Sequence, residues 1–264
     1  MKVYGLIGKP VSHSLSPVMH NALFRKYGID AVYVTFEVEE LGKAIDGVRA
    51  LGISGLNVTM PYKEVVTKFL DELSEDAREI NSVNTIINLE GSLIGYTTDG
   101  VGARKALERF TEIEGRNVLI LGAGGAGKAI AYELSKIANI VVLNRTPSKA
   151  KSLEKFGVKG GSLDELPNYV GWADVLINAT SVGMGTNESL VPRRLLRREL
   201  IVMDIVYKPL KTRLLRDAES VGCRVIDGLW MLIYQGAESF KLWTGIYPDV
   251  ELMRRVSLER LGKG

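Results

Sequence analysis

Residues 122–129 read GAGGAGKA, and two chemistries use such a stretch. Taken as G-x-G-x-x-G, Gly122, Gly124 and Gly127 would let a pyrophosphate approach the backbone at a helix N-terminus. Taken as G-x-x-x-x-G-K, Gly122, Gly127 and Lys128 begin a nucleoside-triphosphate P-loop, whose next residue must be Ser or Thr to hold magnesium. That position is Ala129, which has no oxygen. The stretch follows the apolar run NVLIL and opens a helical pattern within about 30 residues, the setting a dinucleotide site needs. Glycine turns of this kind also serve packing alone, so a second position matters. About 20 residues downstream an NAD site carries Asp or Glu for the ribose 2′-hydroxyl. This chain has Asn144-Arg145-Thr146 there, with Ser148 and Lys149 beyond and no carboxylate. Arg145 can grip a 2′-phosphate bidentately, assisted by Lys149 and the hydroxyls. The plainer alternative is an arginine in solvent after a strand. The expected cofactor is NADP(H).

Hydride transfer to a carbonyl also needs a proton donor beside the developing alkoxide. Lys63, in NVTMPYKE, and Asp99, in GYTTDG, both follow apolar strand-like segments, at the ends where α/β sheets place ligands. A lysine in a cleft gives or takes a proton, and a nearby carboxylate orients it and holds it charged. Taken singly, each is more simply a solvated surface residue. In SHSLSP (12–17), Ser16 before Pro17 reads as an N-cap with proline at the first helical position. Ser14 and Ser16 at a helix N-terminus also suit a carboxylate. His13 and His20 have no third metal ligand nearby and read as packed helix residues, so no metal site is expected.

The elements that must position these groups alternate. Strand-like runs are 2–8, 31–38 and 55–59, with a pair inside 82–100 turning near Glu90-Gly91. Helical patterns are 16–28, stopped by Gly28, then 39–51 and 63–73. A second system begins at 116–146, whose strand NVLIL has the continuous apolar character of a strand covered on both faces. Runs at 173–180, 200–207 and 223–227 continue a parallel-sheet pattern. The stretch 227–245 is a strongly apolar helix that must pack on something. The fold class is therefore α/β. A three-layer α/β domain over 1–100 is followed by a doubly wound domain over 101–229 and C-terminal helices over 230–264, with the first boundary near Gly100–Gly102.

Composition excludes several classes. A chain of 264 residues with 46% hydrophobic and 25% charged side chains can bury a core and is not disordered. The net charge of +3 is scattered. The densest basic run, RRLLRR (193–198), reads as an amphipathic helix with a solvated face, so no nucleic-acid partner is expected. One cysteine, Cys223, excludes an internal disulfide framework and fits a reducing compartment. MKVYGLIG reads as a strand entering a glycine turn rather than a signal peptide. No run reaches the roughly 20 apolar residues that span a bilayer. The expectation is a cytoplasmic protein with no membrane partner.

Together these residues resemble a family. GKPVSHSLSP, NVTMPYK (57–63), SVNT (82–85), GYTTDGVG (95–102), LGAGGAGKA (121–129), NRT (144–146), NATSVGM (178–184), DIVYKPLKT (204–212) and DGLWMLIYQGAESFKLWTG (227–245) occur in the order of the shikimate dehydrogenases, across nearly the whole chain. The resemblance implies a Rossmann-type NADP domain, C-terminal helices that return to the first domain, and reversible NADPH-dependent reduction of 3-dehydroshikimate to shikimate. It implies Lys63 and Asp99 as the catalytic pair. Ser14, Ser16 and Tyr207 would hold the substrate carboxylate, and Thr59, Asn84, Asp99 and Gln235 its ring hydroxyls. Gly122, Ala123, Gly124, Gly125, Ala126 and Gly127, with Asn144, Arg145, Thr146, Ser148 and Lys149, would bind NADP. Thr180, Ile205, Gly228 and Met231 would lie along its nicotinamide half. Two positions depart from the family pattern: Thr97 stands where many members have Asn, and Lys128 replaces a frequent Arg and is expected to face solvent. A quinate/shikimate dehydrogenase using NAD is disfavoured by the missing acid near Asn144. A non-catalytic NADP-binding regulator is disfavoured by the presence of both Lys63 and Asp99. A homodimer is one open assembly, which the sequence does not fix.

Overall fold

The computed structural model describes residues 1–262, which fall into two units: Met1–Thr98 with the segment from Gln235 onward, and Asp99–Tyr234. The first unit runs β1 (Lys2–Gly8), α1 (Ser16–Lys26), β2 (Ala31–Glu37), α2 (Leu41–Ala50), β3 (Gly55–Val58), β4 (Glu72–Leu73), α3 (Glu75–Ile80), β5 (Thr85–Leu89) and β6 (Ser92–Tyr96). Its sheet has the order β2-β1-β3-β5-β6-β4. β1 is parallel to β2 and β3, and β5 is antiparallel to β3 and β6. Glu90 and Gly91 both have positive φ, 55° and 96°, as a two-residue hairpin turn requires. Strand side chains alternate between two faces. Ile7, Leu56 and Ile86 pack with Leu41, Ile45 and Val48 of α2, each burial contributing about 1.5–3 kcal/mol. The neighbouring residues Tyr4, Asn57 and Thr85 point the other way.

The helix expected over 63–73 is replaced by a 3-10 turn, Val65–Phe69, followed by the edge strand β4. Val65, Val66 and Thr67 are β-branched and weak helix formers. Asp71 then draws the chain to the sheet: its N–H donates to Leu93 O at 3.0 Å and its carboxylate accepts from Leu93 N at 2.8 Å.

The second unit contains α4 (Asp99–Glu108), β7 (Asn117–Leu121), α5 (Gly125–Ser135), β8 (Asn139–Asn144), α6 (Pro147–Lys151), β9 (Lys159–Ser162), α7 (Leu166–Val170), β10 (Val175–Asn178), β11 (Ile201–Asp204), α8 (Arg213–Val221) and β12 (Arg224–Ile226). Every strand pair is parallel, in the order β12-β11-β10-β7-β8-β9, so chain order reverses between β7 and β10. Leu119, Leu121, Val141 and Leu143 pack on one face with Leu214 and Leu215 of α8. The alternate residues Val118, Ile120 and Val142 are fully buried too, which explains the continuous apolar strands. RRLLRR is not a helix. It is a single 3-10 turn, Arg193–Leu195, after which Leu196 is extended. Burial of Leu196 in this core and the bond from Arg197 to the Ala173 carbonyl hold the segment to the end of the sheet. Arg193, Arg194 and Arg198 remain exposed, as a solvated basic face requires.

α9 (Gly228–Thr244) begins in the second unit and continues into the first, and α10 (Val250–Leu261) follows. In the first unit Phe240 and Trp243 of α9 meet Phe24, Tyr4, Tyr33 and His20, and α10 packs on α1. These helices cover the face of the sheet opposite α2. Among the described residues no helix is long and apolar enough to cross a membrane.

Candidate active site

In the second unit the glycine stretch joins β7 to α5. Gly122 has φ +109°, a conformation that favours glycine, and donates to Leu143 O at 2.8 Å. A Cβ on Gly127 would stand 2.2 Å from Gly122 O, so the turn closes only with glycine there. A Cβ on Gly124 would meet nothing within 4 Å. The backbone just ahead of α5 is therefore open to an incoming anion, at the positive end of the helix dipole. Asn144, closing β8, accepts from Ala123 N at 3.1 Å and donates to Thr146 O at 3.0 Å, tying the loop to the next strand end. Arg145, Thr146, Ser148 and Lys149 stand exposed around the start of α6. An open cradle beside a cationic, hydroxyl-bearing strand end fits a dinucleotide with an extra phosphate. Ala129 is buried, and Lys128 is half-buried in α5 rather than fully in solvent.

Thr180 follows β10, with its hydroxyl donating to Asn178 Oδ1 at 2.7 Å. Ile205 and Tyr207 follow β11 and are half-buried, and burial pushes the Tyr207 phenol above its ordinary value. Gly228 and Met231 lie in the first turn of α9, and Met231 is buried. Gly122, Thr180 and Ile205 follow the carboxyl ends of β7, β10 and β11, around the point where strand order reverses, and Gly228 stands against Ile205.

In the first unit the antiparallel course of β5 brings three segments to one end of the sheet. Thr59 follows the end of β3, Asn84 precedes β5, and Thr97 and Thr98 follow β6. Asn84 is buried. Its Nδ2 donates to Thr98 Oγ1 at 2.9 Å and Gln235 Oε1 at 3.3 Å, and its Oδ1 accepts from Thr98 N at 2.8 Å. Thr59 donates through its N–H to Ile7 O, and the Lys63 carbonyl accepts from Val83 N at 2.8 Å, so the main chain carrying Lys63 is fixed. Lys63 is half-buried and engaged with its surroundings. Asp99, also engaged, opens the second unit as the first residue of α4 and is 4% exposed. A carboxylate there meets the helix dipole favourably.

Ser16 is not the N-cap. Leu15 holds that position, and no side chain caps α1. The Ser16 N–H donates to Ser14 Oγ at 3.2 Å, and the two hydroxyls lie 3.2 Å apart. His13 is exposed in a turn. His20 is fully buried, stacked on Tyr33 at 4.5 Å, with neither ring nitrogen hydrogen-bonded. Burial lowers its pKa to about 3. Among the described residues no group of three or more His, Cys, Asp or Glu could hold a metal.

Sequence reasoning missed the polar groups behind these positions. Asn57 Nδ2 donates to Ser239 Oγ at 2.9 Å, Ser239 meets Thr85 Oγ1 at 2.8 Å, and Thr85 donates to Asn84 Oδ1 at 3.1 Å. A polar residue on the buried face of an otherwise apolar strand was their one visible signal.

Three family models cover most of the chain. The shikimate dehydrogenase substrate binding domain matches residues 6–86, the shikimate/quinate 5-dehydrogenase model 104–207, and the shikimate 5′-dehydrogenase C-terminal domain 228–256. The shikimate dehydrogenase (NADP(+)) of Pyrococcus furiosus is 72% identical over 97% of this chain and 95% of its own. A solved shikimate dehydrogenase in complex with NADP+ superposes with a TM-score of 0.94 at 46% identity, covering 98% of this chain and 96% of that one. The enzyme from Thermus thermophilus, solved with NADP(H) and shikimate, gives 0.91 at 37% identity, covering 98% and 99%. With the Rossmann-type cradle and the polar end of the first unit's sheet in place, similarity over 97% of its length makes this chain a member of the shikimate dehydrogenase family.

Proposed function

We propose that this chain catalyses the reversible, NADPH-dependent reduction of 3-dehydroshikimate to shikimate. Identity of 72% across 97% of the chain to an NADP-dependent shikimate dehydrogenase carries the reading. Residues 1–100 with the C-terminal helices would take the substrate, and residues 101–229 the cofactor. When bound, NADPH supplies a hydride to the substrate's carbonyl carbon. Lys63 gives a proton to the developing alkoxide, and in the reverse direction removes it from the alcohol. Asp99 is the carboxylate member of the catalytic pair. Ser14, Ser16 and Tyr207 offer hydroxyl donors to the carboxylate, and Thr59, Asn84, Asp99 and Gln235 pair with ring hydroxyls. A site built to pair those hydroxyls rejects a ring that lacks one. Arg145, with Thr146, Ser148 and Lys149, selects the 2′-phosphate. A cytoplasmic location fits the single cysteine.

The test is turnover with shikimate or quinate, each with NADP+ or NAD+, read by absorbance of the reduced cofactor. Shikimate with NADP+ is expected to give the highest kcat/KM. No turnover of shikimate with either cofactor overturns the proposal, and preference for quinate with NAD+ replaces it with the alternative dehydrogenase.

A further inference from the structure

We infer that Asp204 is a positioning residue for the nicotinamide half of the cofactor, acting through Asn178, Val206 and Thr212. The inference rests on the NADP reading of the second unit. Asp204 closes β11 with no exposed surface, and Asn178 closes β10 directly beside it in register. Asp204 Oδ1 accepts from Asn178 Nδ2 at 2.9 Å and from Val206 N at 3.0 Å. Its Oδ2 accepts from Thr212 Oγ1 at 2.6 Å. The partners are an amide, a backbone N–H and a hydroxyl.

A carboxylate only accepts, so Asn178 must turn its NH2 toward Asp204. Its carbonyl oxygen then faces the other way, where it accepts from Thr180 N at 3.2 Å and Thr180 Oγ1 at 2.7 Å. The Thr180 hydroxyl in turn accepts from Val182 N at 3.1 Å. One carboxylate thereby fixes the segment after β10, the segment after β11 and the start of α8. α9 closes on the same backbone: a Cβ on Gly228 would stand 2.4 Å from Ile205 C and O. An acid buried this deeply is costly, and an apolar side chain would pack there more cheaply. Burial raises the Asp204 pKa while the Thr212, Val206 and Asn178 bonds oppose the rise. What the acid supplies and a hydrocarbon does not is direction: it sets the hydrogen-bond polarity that aims Thr180 and holds Ile205. The adenosine end is served separately, by Asn144 to Lys149 after β8, on the far side of β7 in strand order.

The test measures binding of NADP+ and of adenosine 2′,5′-bisphosphate by calorimetry, with kcat/KM for NADP+ alongside, in Thr212→Val, Thr212→Ser and Asp204→Asn. Thr212→Val removes the hydroxyl and also the cap it gives α8 through Leu215 N; Asp204→Asn spares that cap. In Thr212→Val and Asp204→Asn, NADP+ affinity and kcat/KM are expected to fall about tenfold or more. The bisphosphate should stay within about twofold of wild type, and Thr212→Ser should restore most of the loss. Equal weakening of both ligands, or unchanged NADP+ binding in Asp204→Asn, overturns the inference. A wild type that binds NADP+ without turning over shikimate refutes the proposed reaction instead, and the binding contrast still decides this inference. A wild type that binds no NADP+ overturns both.

Discussion

Ser239 sits at the crossing of the buried polar network in the first unit, and its removal has a calculable cost. Its hydroxyl is fully buried, accepts from Asn57 Nδ2 at 2.9 Å, pairs with Thr85 Oγ1 at 2.8 Å and back-bonds to Gln235 O at 3.0 Å. In Ser239→Ala no neighbour is orphaned. Asn57 Nδ2 keeps Asn84 O at 3.1 Å, and Thr85 Oγ1 keeps Asn84 Oδ1 at 3.1 Å. The back-bond is redundant, because the helix pairs that carbonyl already. Two short lateral bonds are lost, at about 0.5–1.5 kcal/mol each, with a long contact to Thr98 Oγ1 at 3.5 Å that adds little. Alanine's better helix propensity returns up to about 0.7 kcal/mol. The net destabilisation is about 0.3–3 kcal/mol, or a Tm lowered by roughly 1–12 °C for units of this size. Differential scanning calorimetry of wild type and variant measures it. No loss, or a gain in stability, would mean that the lateral bonds contribute nothing. A loss above about 4 kcal/mol would mean that a group counted as satisfied has been stranded. Either result refutes the accounting.

Three further outcomes follow from the geometry. Lys63→Ala should lower kcat by about 100-fold or more while the affinity for NADP+ changes little; near-normal turnover would remove Lys63 from the proton transfer. Arg145→Ala should cut the NADP+/NAD+ ratio of kcat/KM by about tenfold or more, and an unchanged ratio would place 2′-phosphate recognition elsewhere. His20 has its folded pKa depressed from 6.5 to about 3, so between those values the unfolded chain binds the proton and the folded chain does not. Stability from this group is complete above pH ~6.5 and falls by about 1.4 kcal/mol per unit as pH drops toward ~3. Denaturant titrations across that window should show a slope that His20→Leu removes, and an identical slope in the variant would contradict it.

The parallel sheet of the second unit was legible because strands covered on both faces read as unbroken apolar runs, and the glycine loop because its steric demands restrict the residue type. β9 escaped notice, since Lys159-Gly160-Gly161-Ser162 has neither β-branched residues nor alternation, and its pairing to β8 alone makes it a strand. The 63–73 and 193–198 patterns suggested helices from side-chain spacing, but edge pairing in one and burial of Leu196 in the other set the backbone. At the site, the residues facing outward were visible as motifs. Those behind them, Ser239 and Asp204, were not, because hydrogen-bond partners 154 residues apart, as for Thr85 and Ser239, leave no local spacing to read.

The division of the first unit into two stretches of sequence bears on how the molecule is made. Its sheet is complete by Tyr96, yet one face waits for Ser239, Phe240 and Trp243, which are synthesised only after the whole intervening unit. At about 5–20 residues per second, the 136 residues from Asp99 to Tyr234 take roughly 7–27 s to emerge. During that interval the second unit, continuous in sequence, can finish folding while the first still lacks its last layer. The continuous unit can then complete its fold first, while Tyr4, Phe24 and Tyr33 lack their aromatic partners on α9 until that helix is made.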